Sequence, residues 1–263
     1  MTARAKGERL DERVVREGLA ESRNAAQALV LAGRVLVDDE PIDKSGTRID
    51  AESSVRLKGG QRRFVSRGGD KLAFALEDLG MDPTGLTCLD VGASTGGFTD
   101  CLLQSGATRV VAIDVGHGQI HSSLRLDPRV EVRERVNARH LTPADFVDRF
   151  DLVVIDVSFI SLALVLPAIH ACAPHADWLL LVKPQFEVGR SQVGKGGVVR
   201  DDALREGAAN RISAAARSLG RLEKRRVDSR VAGPKGNREI FLWMSSTAEA
   251  ADAAEGPGRA VDE

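Results

Sequence analysis

The spacing of apolar residues divides the chain into two regions with different patterns. In the first, apolar residues recur at helical spacing over 9–19, and again after Ser22, a suitable N-cap, until Gly33. Short strand-like stretches follow at 34–37, 48–49 and 55–57. Two short helices with a few strands predict a small α+β domain. A region of about sixty residues can bury only a modest core.

Beyond Arg67, short apolar runs alternate with amphipathic stretches. The runs predict buried strands at Thr87–Val91, 110–114, 151–156 and 178–182, and a last strand at 238–244 that includes Glu239. The amphipathic stretches predict helices at Gly97–Gln104, 161–173 and 202–219. This alternation predicts an α/β fold with a mostly parallel, doubly wound sheet.

The amino-acid composition excludes several classes of protein. The chain has 263 residues, 43% hydrophobic and 29% charged, with a net charge of -1, which excludes an intrinsically disordered protein. Its three cysteines are far apart and form no CxxC pair, so we expect neither a disulfide scaffold nor a metal site, and a cytoplasmic location. We also expect no secretory signal and no membrane-spanning segment, because no apolar run is long enough.

Positive charge is concentrated in two segments of this nearly neutral chain. Residues 56–71 carry six basic side chains and one acid, and residues 221–238 carry seven basic side chains and two acids. Such segments favour a polyanionic partner. Two solvated surface stretches would explain the same charges.

A glycine-rich turn follows the first buried strand and precedes a helix. Gly92, Gly96 and Gly97 have the spacing GxxxGG instead of the GxGxxG of dinucleotide-binding proteins. Asp90 at this turn would repel a pyrophosphate but suits an ammonium group, and Asp114 at the end of the next strand could accept from ribose hydroxyls. Together these features predict S-adenosylmethionine as the cofactor. Tight packing of the glycines, with Asp114 in a turn, is the alternative.

Four charged residues accompany this turn: Lys71 at the first helix of the large domain, Asp156 and Lys183 at strand ends, and Glu239 in the last strand. Because burying a lysine charge requires a partner, each could belong to a structural ion pair. Their combined occurrence around one sheet edge favours a reactive site instead.

These residues resemble the Lys-Asp-Lys-Glu tetrad of FtsJ-type RNA 2′-O-methyltransferases. The chain is more similar still to the TlyA (haemolysin A) family of ribosomal RNA 2′-O-methyltransferases, through segments 66–72, 92–99, 156–161, 182–187 and 194–199. The N-terminal region resembles the S-four-type RNA-binding fold, which indicates RNA but no chemistry. The resemblance implies an RNA-binding domain at 1–60, a linker at 61–67, a Rossmann-like methyltransferase domain at 68–246 and a disordered tail at 247–263.

The resemblance also implies roles for individual residues. Lys183 would steer or accept the proton of the 2′-hydroxyl, Asp156 would orient Lys183, and Lys71 with Glu239 would hold the ribose. We expect the cofactor to contact Asp90, Gly92, Ala93, Ser94, Thr95, Gly96, Gly97, Phe98, Asp114, Asn137 and Asp156. Candidate phosphate contacts are Arg9, Arg23, Lys44 and Arg67. The expected partners are ribosomal RNA and the ribosomal subunits, with cytidine as the target.

Three alternatives remain open from the sequence. A non-catalytic RNA-binding or ribosome-assembly factor would bind cofactor without transferring methyl groups. A membrane-active haemolysin would permeabilise liposomes, although no apolar segment of membrane length supports it. A small-molecule methyltransferase would leave the basic segments and the N-terminal domain unexplained.

Overall fold

The computed structural model describes residues 7–58, 63–233 and 235–246. The chain divides into two compact units between Arg62 and Arg63. The tail expected at 247–263 and the first two residues of the expected linker lie outside the described residues.

Residues 7–58, the described part of the first unit, form two helices and two small sheets. Its elements are β1 (Glu8–Arg9), α1 (Leu10–Arg16), α2 (Arg23–Leu31), β2 (Val35–Val37), β3 (Glu40–Pro41), β4 (Arg48–Ile49) and β5 (Val55–Leu57). β1 pairs with β4, and β2 lies between β3 and β5. Leu10 and Val14 of α1 pack with Ala26 and Val30 of α2 in the core. As predicted, the Ser22 side chain caps α2, accepting a hydrogen bond from the amide of Ala25.

The second unit alternates strands and helices. Its elements are α3 (Arg67–Leu79), β6 (Thr87–Val91), α4 (Gly97–Gln104), β7 (Arg109–Asp114), α5 (Ser122–Leu126), β8 (Val130–Glu134), β9 (Leu152–Ile155), α6 (Leu166–Cys172), β10 (Asp177–Val182), α7 (Pro184–Glu187), α8 (Asp202–Arg217), β11 (Arg221–Asp228) and β12 (Ile240–Ser246). These strands form one seven-stranded sheet in the order β11-β12-β10-β9-β6-β7-β8.

The sheet is parallel from β10 to β8, and β12 and β11 join it in antiparallel pairs. Alternate residues of each buried strand enter different apolar clusters. Val153 and Ile155 pack with α6 and α8, whereas Leu152 and Val154 pack with α3 and α4. Helices therefore cover both faces of the sheet, and the predicted doubly wound α/β fold is confirmed.

Two strands of this seven-stranded sheet are absent from the predictions, and both lie at its edges. All five residues of β8 are partly exposed, and in β11 only Arg221 is buried, the other residues being partly or fully exposed. An edge strand does not need the continuous apolar run that marks a central parallel strand. The charged residues of β11 therefore gave no strand signal.

Several predicted boundaries differ from the structure. α3 begins at Arg67, four residues before Lys71, because the Ser66 side chain accepts a hydrogen bond from the amide of Gly68. The helix predicted at 161–173 is a 3-10 turn at Leu162–Leu164 followed by α6, which has a proline in its first turn. Glu239 precedes the last strand instead of lying within it.

Close packing of α3 leads to a stability prediction for Gly69. A Cβ atom at this buried position would lie 2.3 Å from Cγ of Phe64. Gly69→Ala should therefore lower the free energy of unfolding by about 1–3 kcal/mol in urea denaturation, despite the better helix propensity of alanine. The matched change Gly207→Ala in α8 meets only Arg211, at 3.7 Å, and should be neutral or stabilising. Equal effects of the two changes would contradict the packing argument.

Candidate active site

The glycine-rich turn after β6 has a backbone that excludes side chains at two positions. Gly92 adopts a φ of +87°, and a Cβ there would lie 2.5 Å from the carbonyl oxygen of Asp156. Gly96 adopts a φ of +94°, and its Cβ would lie 2.3 Å from Cδ1 of Leu124. Glycine is therefore required at both positions by conformation and by space. The result is a tight turn that presents backbone at the carboxyl edge of the sheet.

Asp90 lies fully buried beneath this turn. Its Oδ2 accepts a hydrogen bond of 2.6 Å from the Thr99 hydroxyl, and its Oδ1 has no hydrogen-bond partner among the described residues. Burial raises the pKa of Asp90 to about 7, and the negative charges of Asp156 and Asp114 add to the rise. An unpartnered carboxylate oxygen with a raised pKa is suited to bind a cationic ligand.

Asp114, at the end of β7, fixes the other side of the turn. Its Oδ2 accepts a hydrogen bond of 2.8 Å from the amide of Ser94, and its Oδ1 accepts one of 2.6 Å from the amide of Gly116. Each carboxylate oxygen has more than one lone pair, so both can still accept from a ligand hydroxyl. Asp114 is therefore positioned by two backbone donors.

The turn fits S-adenosylmethionine by its chemistry. Asp90 provides an unpartnered oxygen for an ammonium group, Asp114 provides acceptors for ribose hydroxyls, and the glycines leave room for close approach to backbone.

The other residues predicted to contact the cofactor lie in different environments. Phe98 is buried and its ring stacks with Phe241 at 6.2 Å between centroids, so a cofactor contact would have to come from its backbone. Gly97 packs against Ser66.

Four predicted cofactor contacts are on the surface or in the turn itself. Ser94 and Thr95 are exposed, and the Ser94 backbone is left-handed, with a φ of +50°. Ala93 is buried, and its amide donates to Ile113. Asn137 accepts a hydrogen bond from the amide of Arg139 and begins a 3-10 turn at Ala138–His140. A contact of Asn137 with the cofactor stays a prediction.

The four tetrad residues form two ion pairs at the same sheet edge. Lys183 pairs with Asp156, and its Nζ donates a hydrogen bond of 2.8 Å to the Ser158 hydroxyl. Lys71 Nζ pairs with Oε2 of Glu239 at 2.5 Å. Lys71 and Glu239 are buried, and Lys183 is 9% exposed. All four charged residues are therefore engaged in ion pairs, the alternative considered from the sequence, and the catalytic role of the tetrad stays a prediction.

Strand direction explains how these distant residues meet. β9 and β10 are parallel, so Asp156 and Lys183 leave the sheet at one edge. β12 runs antiparallel to β10 with Val182 opposite Ile240, which places Glu239 and Lys183 next to each other outside this last pair. The side chain of Lys71 reaches Glu239 from the first turns of α3.

Burial and charge both act on Glu239. Burial raises its pKa, the ion pair with Lys71 opposes this rise, and Asp156 and Lys183 contribute in opposite directions. Its Oε1 has no hydrogen-bond partner among the described residues. A Cβ at Gly233 would lie 2.6 Å from this oxygen, so a glycine is needed there. The charges of the other three tetrad residues therefore all influence the pKa of Glu239.

Three residues of the site were missed by sequence reasoning. Thr99 binds Asp90, and Ser158 binds Lys183. Phe159 is 92% exposed, has a left-handed backbone with a φ of +66°, and lies 5.2 Å from the ring of Phe186. The sequence signal for Phe159 was its position three residues after Asp156. An exposed aromatic residue with a strained backbone at a site edge is a candidate for ligand contact.

The predicted phosphate contacts occupy different environments. Arg9 and Arg23 of the first unit both donate to the buried carboxylate of Asp11, which lowers the pKa of Asp11. Lys44 is exposed in the first unit, and Arg67 is exposed at the start of α3. A role of these four residues in phosphate binding stays a prediction.

Two further properties concern the described part of the chain. None of its helices has the length and apolar character needed to cross a bilayer. Within residues 7–58, 63–233 and 235–246, no three His, Cys, Asp or Glu side chains are grouped to hold a metal ion.

Family models match both units. The S4 domain model matches residues 8–55, and the FtsJ-like methyltransferase model matches residues 64–246. The chain is 49% identical, over 98% of its length and 97% of the relative, to the Mycobacterium tuberculosis protein named 16S/23S rRNA (cytidine-2'-O)-methyltransferase TlyA. It is 42% identical to the protein named Hemolysin A from Brachyspira hyodysenteriae, over 89% of this chain and 98% of the relative.

A solved structure agrees with this relationship. It is a Streptococcus thermophilus protein provisionally described as a hemolysin, 40% identical, with a TM-score of 0.71 over 92% of this chain and 89% of that chain. The family model covers more than half of the chain, and it includes the glycine-rich turn and all four tetrad residues. The chain therefore belongs to the FtsJ-like methyltransferase family, with S-adenosylmethionine as its methyl donor.

Proposed function

We propose that this enzyme transfers a methyl group from S-adenosylmethionine to the ribose 2′-hydroxyl of a cytidine in ribosomal RNA. Its partners would be ribosomal subunits, and its compartment the cytoplasm. The observation that carries the proposal is the pair of ion pairs, Lys183–Asp156 and Lys71–Glu239, beside the glycine-rich turn. The name of the Mycobacterium tuberculosis relative supports the choice of ribosomal RNA and cytidine.

The cofactor supplies a methyl group that is already activated on a sulfonium, so the protein needs mainly to align the acceptor and manage one proton. Asp90, Asp114 and the glycine-rich turn would hold the cofactor. Lys183 Nζ would hold the 2′-oxygen by a hydrogen bond and, in its neutral form, accept the hydroxyl proton. Asp156 and Ser158 fix the direction of Nζ. Lys71 and Glu239 would bind the ribose.

The first unit supports an RNA substrate. Asp11 holds Arg9 by two hydrogen bonds of 2.9 Å and Arg23 by one of 3.0 Å. Both guanidinium groups are partly exposed, so they can contact phosphates while Asp11 restricts their motion. Together with Lys44 and Arg67, they would position the RNA without reading its sequence.

The assignment of Lys183 predicts a separation of binding from turnover. Lys183→Ala should lower kcat for methylation of ribosomal RNA by at least about 100-fold, because it removes the group that handles the hydroxyl proton. S-adenosylmethionine affinity, measured by calorimetry, should remain within a few-fold. Ser158→Ala, which removes only one partner of Nζ, should cost much less. Full turnover by Lys183→Ala would refute the assignment.

The raised pKa of Asp90 predicts a pH-dependent cofactor affinity. Below pH 7 the carboxyl group of free Asp90 is mostly protonated. Part of the binding free energy of a cationic ligand is then spent on ionising this group. Affinity should rise roughly fivefold to tenfold from pH 6 to pH 7.5, before the α-amino group of the ligand loses its proton. Calorimetry on Asp90→Asn should show weaker binding and a flat profile. A wild-type profile that is equally flat would show that Asp90 does not bind the ammonium group.

Phe159 predicts a contact with an unstacked base. Phe159 has an exposed ring and directly follows Ser158, which binds Lys183, so a base next to the reacting ribose could stack on this ring. Phe159→Ala should lower kcat/KM for RNA about 5- to 100-fold, the range expected for one stacked base, with unchanged cofactor affinity. Val147→Ala, at another fully exposed apolar residue, is the control. Equal losses in both variants would exclude a specific stacking role.

A further inference from the structure

A glycine-rich hairpin at residues 194–198 has no role in the mechanism above. Its ends are joined by a hydrogen bond of 3.0 Å from the amide of Gly194 to the carbonyl of Val198. Gly196 and Gly197 adopt left-handed φ angles of +82° and +81°, which favour glycine. Three of its first four residues are glycines, and the fourth, Lys195, is exposed. We call residues 194–198 the glycine hairpin.

Asn237 fastens the glycine hairpin to the segment that carries Glu239. The Asn237 side chain donates a hydrogen bond of 2.9 Å to the carbonyl of Gly197 and accepts one of 2.9 Å from the amide of Val199. Asn237 is 3% exposed, and Val199 is part of the buried core. Because Asn237 precedes Glu239 by only two residues, the hairpin is held at a fixed position beside the tetrad.

Three exposed cations surround the glycine hairpin: Lys195, Arg200 and Lys235. Nζ of Lys235 lies 3.6 Å from the position that a Cβ would take at Gly197, and a guanidinium nitrogen of Arg200 lies 3.9 Å from the corresponding position at Gly194. We call these three residues the basic cluster. Their positive charges therefore lie directly against backbone that has no side chain to shield it.

The nearest acids along the chain are engaged elsewhere. Asp201 accepts hydrogen bonds from the amides of Ala203 and Leu204 and so caps α8. Asp202 pairs with Arg205 and Arg238. The positive charge of the basic cluster is thus directed towards solvent, where a polyanion can reach it.

We infer that the basic cluster and the glycine hairpin bind backbone phosphates of the RNA strand next to the methylated nucleotide. This inference rests on the proposed function for the identity of the strand. Lysine and arginine neutralise phosphates, and bare glycine backbone permits close approach of a bulky phosphodiester. The anchor through Asn237 would convert this sequence-independent contact into a fixed distance between the bound strand and Glu239. The site would set the register of the ribose and leave cofactor binding unaffected.

The test compares two double variants with equal changes in charge. Lys195→Ala/Lys235→Ala removes two members of the basic cluster, and Arg129→Ala/Arg149→Ala removes two exposed charges that precede β8 and β9, outside both basic segments. Binding to ribosomal RNA fragments is measured by fluorescence anisotropy across a series of salt concentrations. Methylation of the same RNA gives KM and kcat, and calorimetry gives S-adenosylmethionine affinity.

The cluster variant should bind RNA about tenfold more weakly at 0.15 M salt, and the slope of log K against log salt should fall by roughly 1.4–1.8. Its KM for RNA should rise by a similar factor, while kcat at saturating RNA and cofactor affinity stay within about twofold. The control should match the wild type in all measurements. An unchanged slope, or an equal loss in the control, would overturn the inference.

The same experiment separates this inference from the proposed function. If the wild type methylates no ribosomal RNA, the proposed function fails, and the salt slopes still report whether the cluster binds phosphates. If the wild type methylates RNA and the cluster variant is indistinguishable from it, only the inference fails.

Discussion

The arrangement of the second unit depends on how charge is buried at one edge of its sheet. Lys71 and Glu239 are separated by 168 positions in the chain and meet at 2.5 Å in a buried ion pair. Removing both groups from water is costly, and their attraction repays this cost only when the pairing is close. Such a pair adds little net stability, but a loss of either partner would leave an uncompensated charge. The pair therefore ties α3 to the segment before β12 in a single arrangement.

The antiparallel strand β12 is what makes this arrangement possible. In a purely parallel sheet, only strand ends gather at the carboxyl edge. Because β12 runs antiparallel to β10, the start of β12 lies at this carboxyl edge. Glu239, which directly precedes β12, therefore joins the site. A late segment of the chain thereby contributes to a site whose other members lie in α3 or at the carboxyl ends of β6, β7, β9 and β10. The glycine hairpin is attached to this late segment through Asn237.

The central strands and the site residues on them could be predicted because burial on both faces leaves a continuous apolar run. The ends of those runs then identified Asp90, Asp114, Asp156 and Lys183. Edge strands could not be found in this way, because β8 and β11 each pair with only one neighbouring strand and remain partly exposed. Thr99 and Ser158 were missed for another reason. Their importance lies in a hydrogen bond to one charged group, and spacing contains no signal for such a bond.

At the carboxyl edge of the sheet, two buried carboxylates each have one oxygen with neither a hydrogen bond nor an ion pair among the described residues. Oδ1 of Asp90 and Oε1 of Glu239 both have no hydrogen-bond partner among the described residues, and burial raises the pKa of both groups. Buried polar atoms are nearly always paired, so two exceptions at one sheet edge call for ligand atoms that complete them. Asp90 is next to the glycine-rich turn and Glu239 is in the tetrad, with Asp156 acting electrostatically on both. The negative charge of Asp156 raises the pKa of both groups, so one neighbouring charge opposes the ionisation of Asp90 at the glycine-rich turn and of Glu239 in the tetrad.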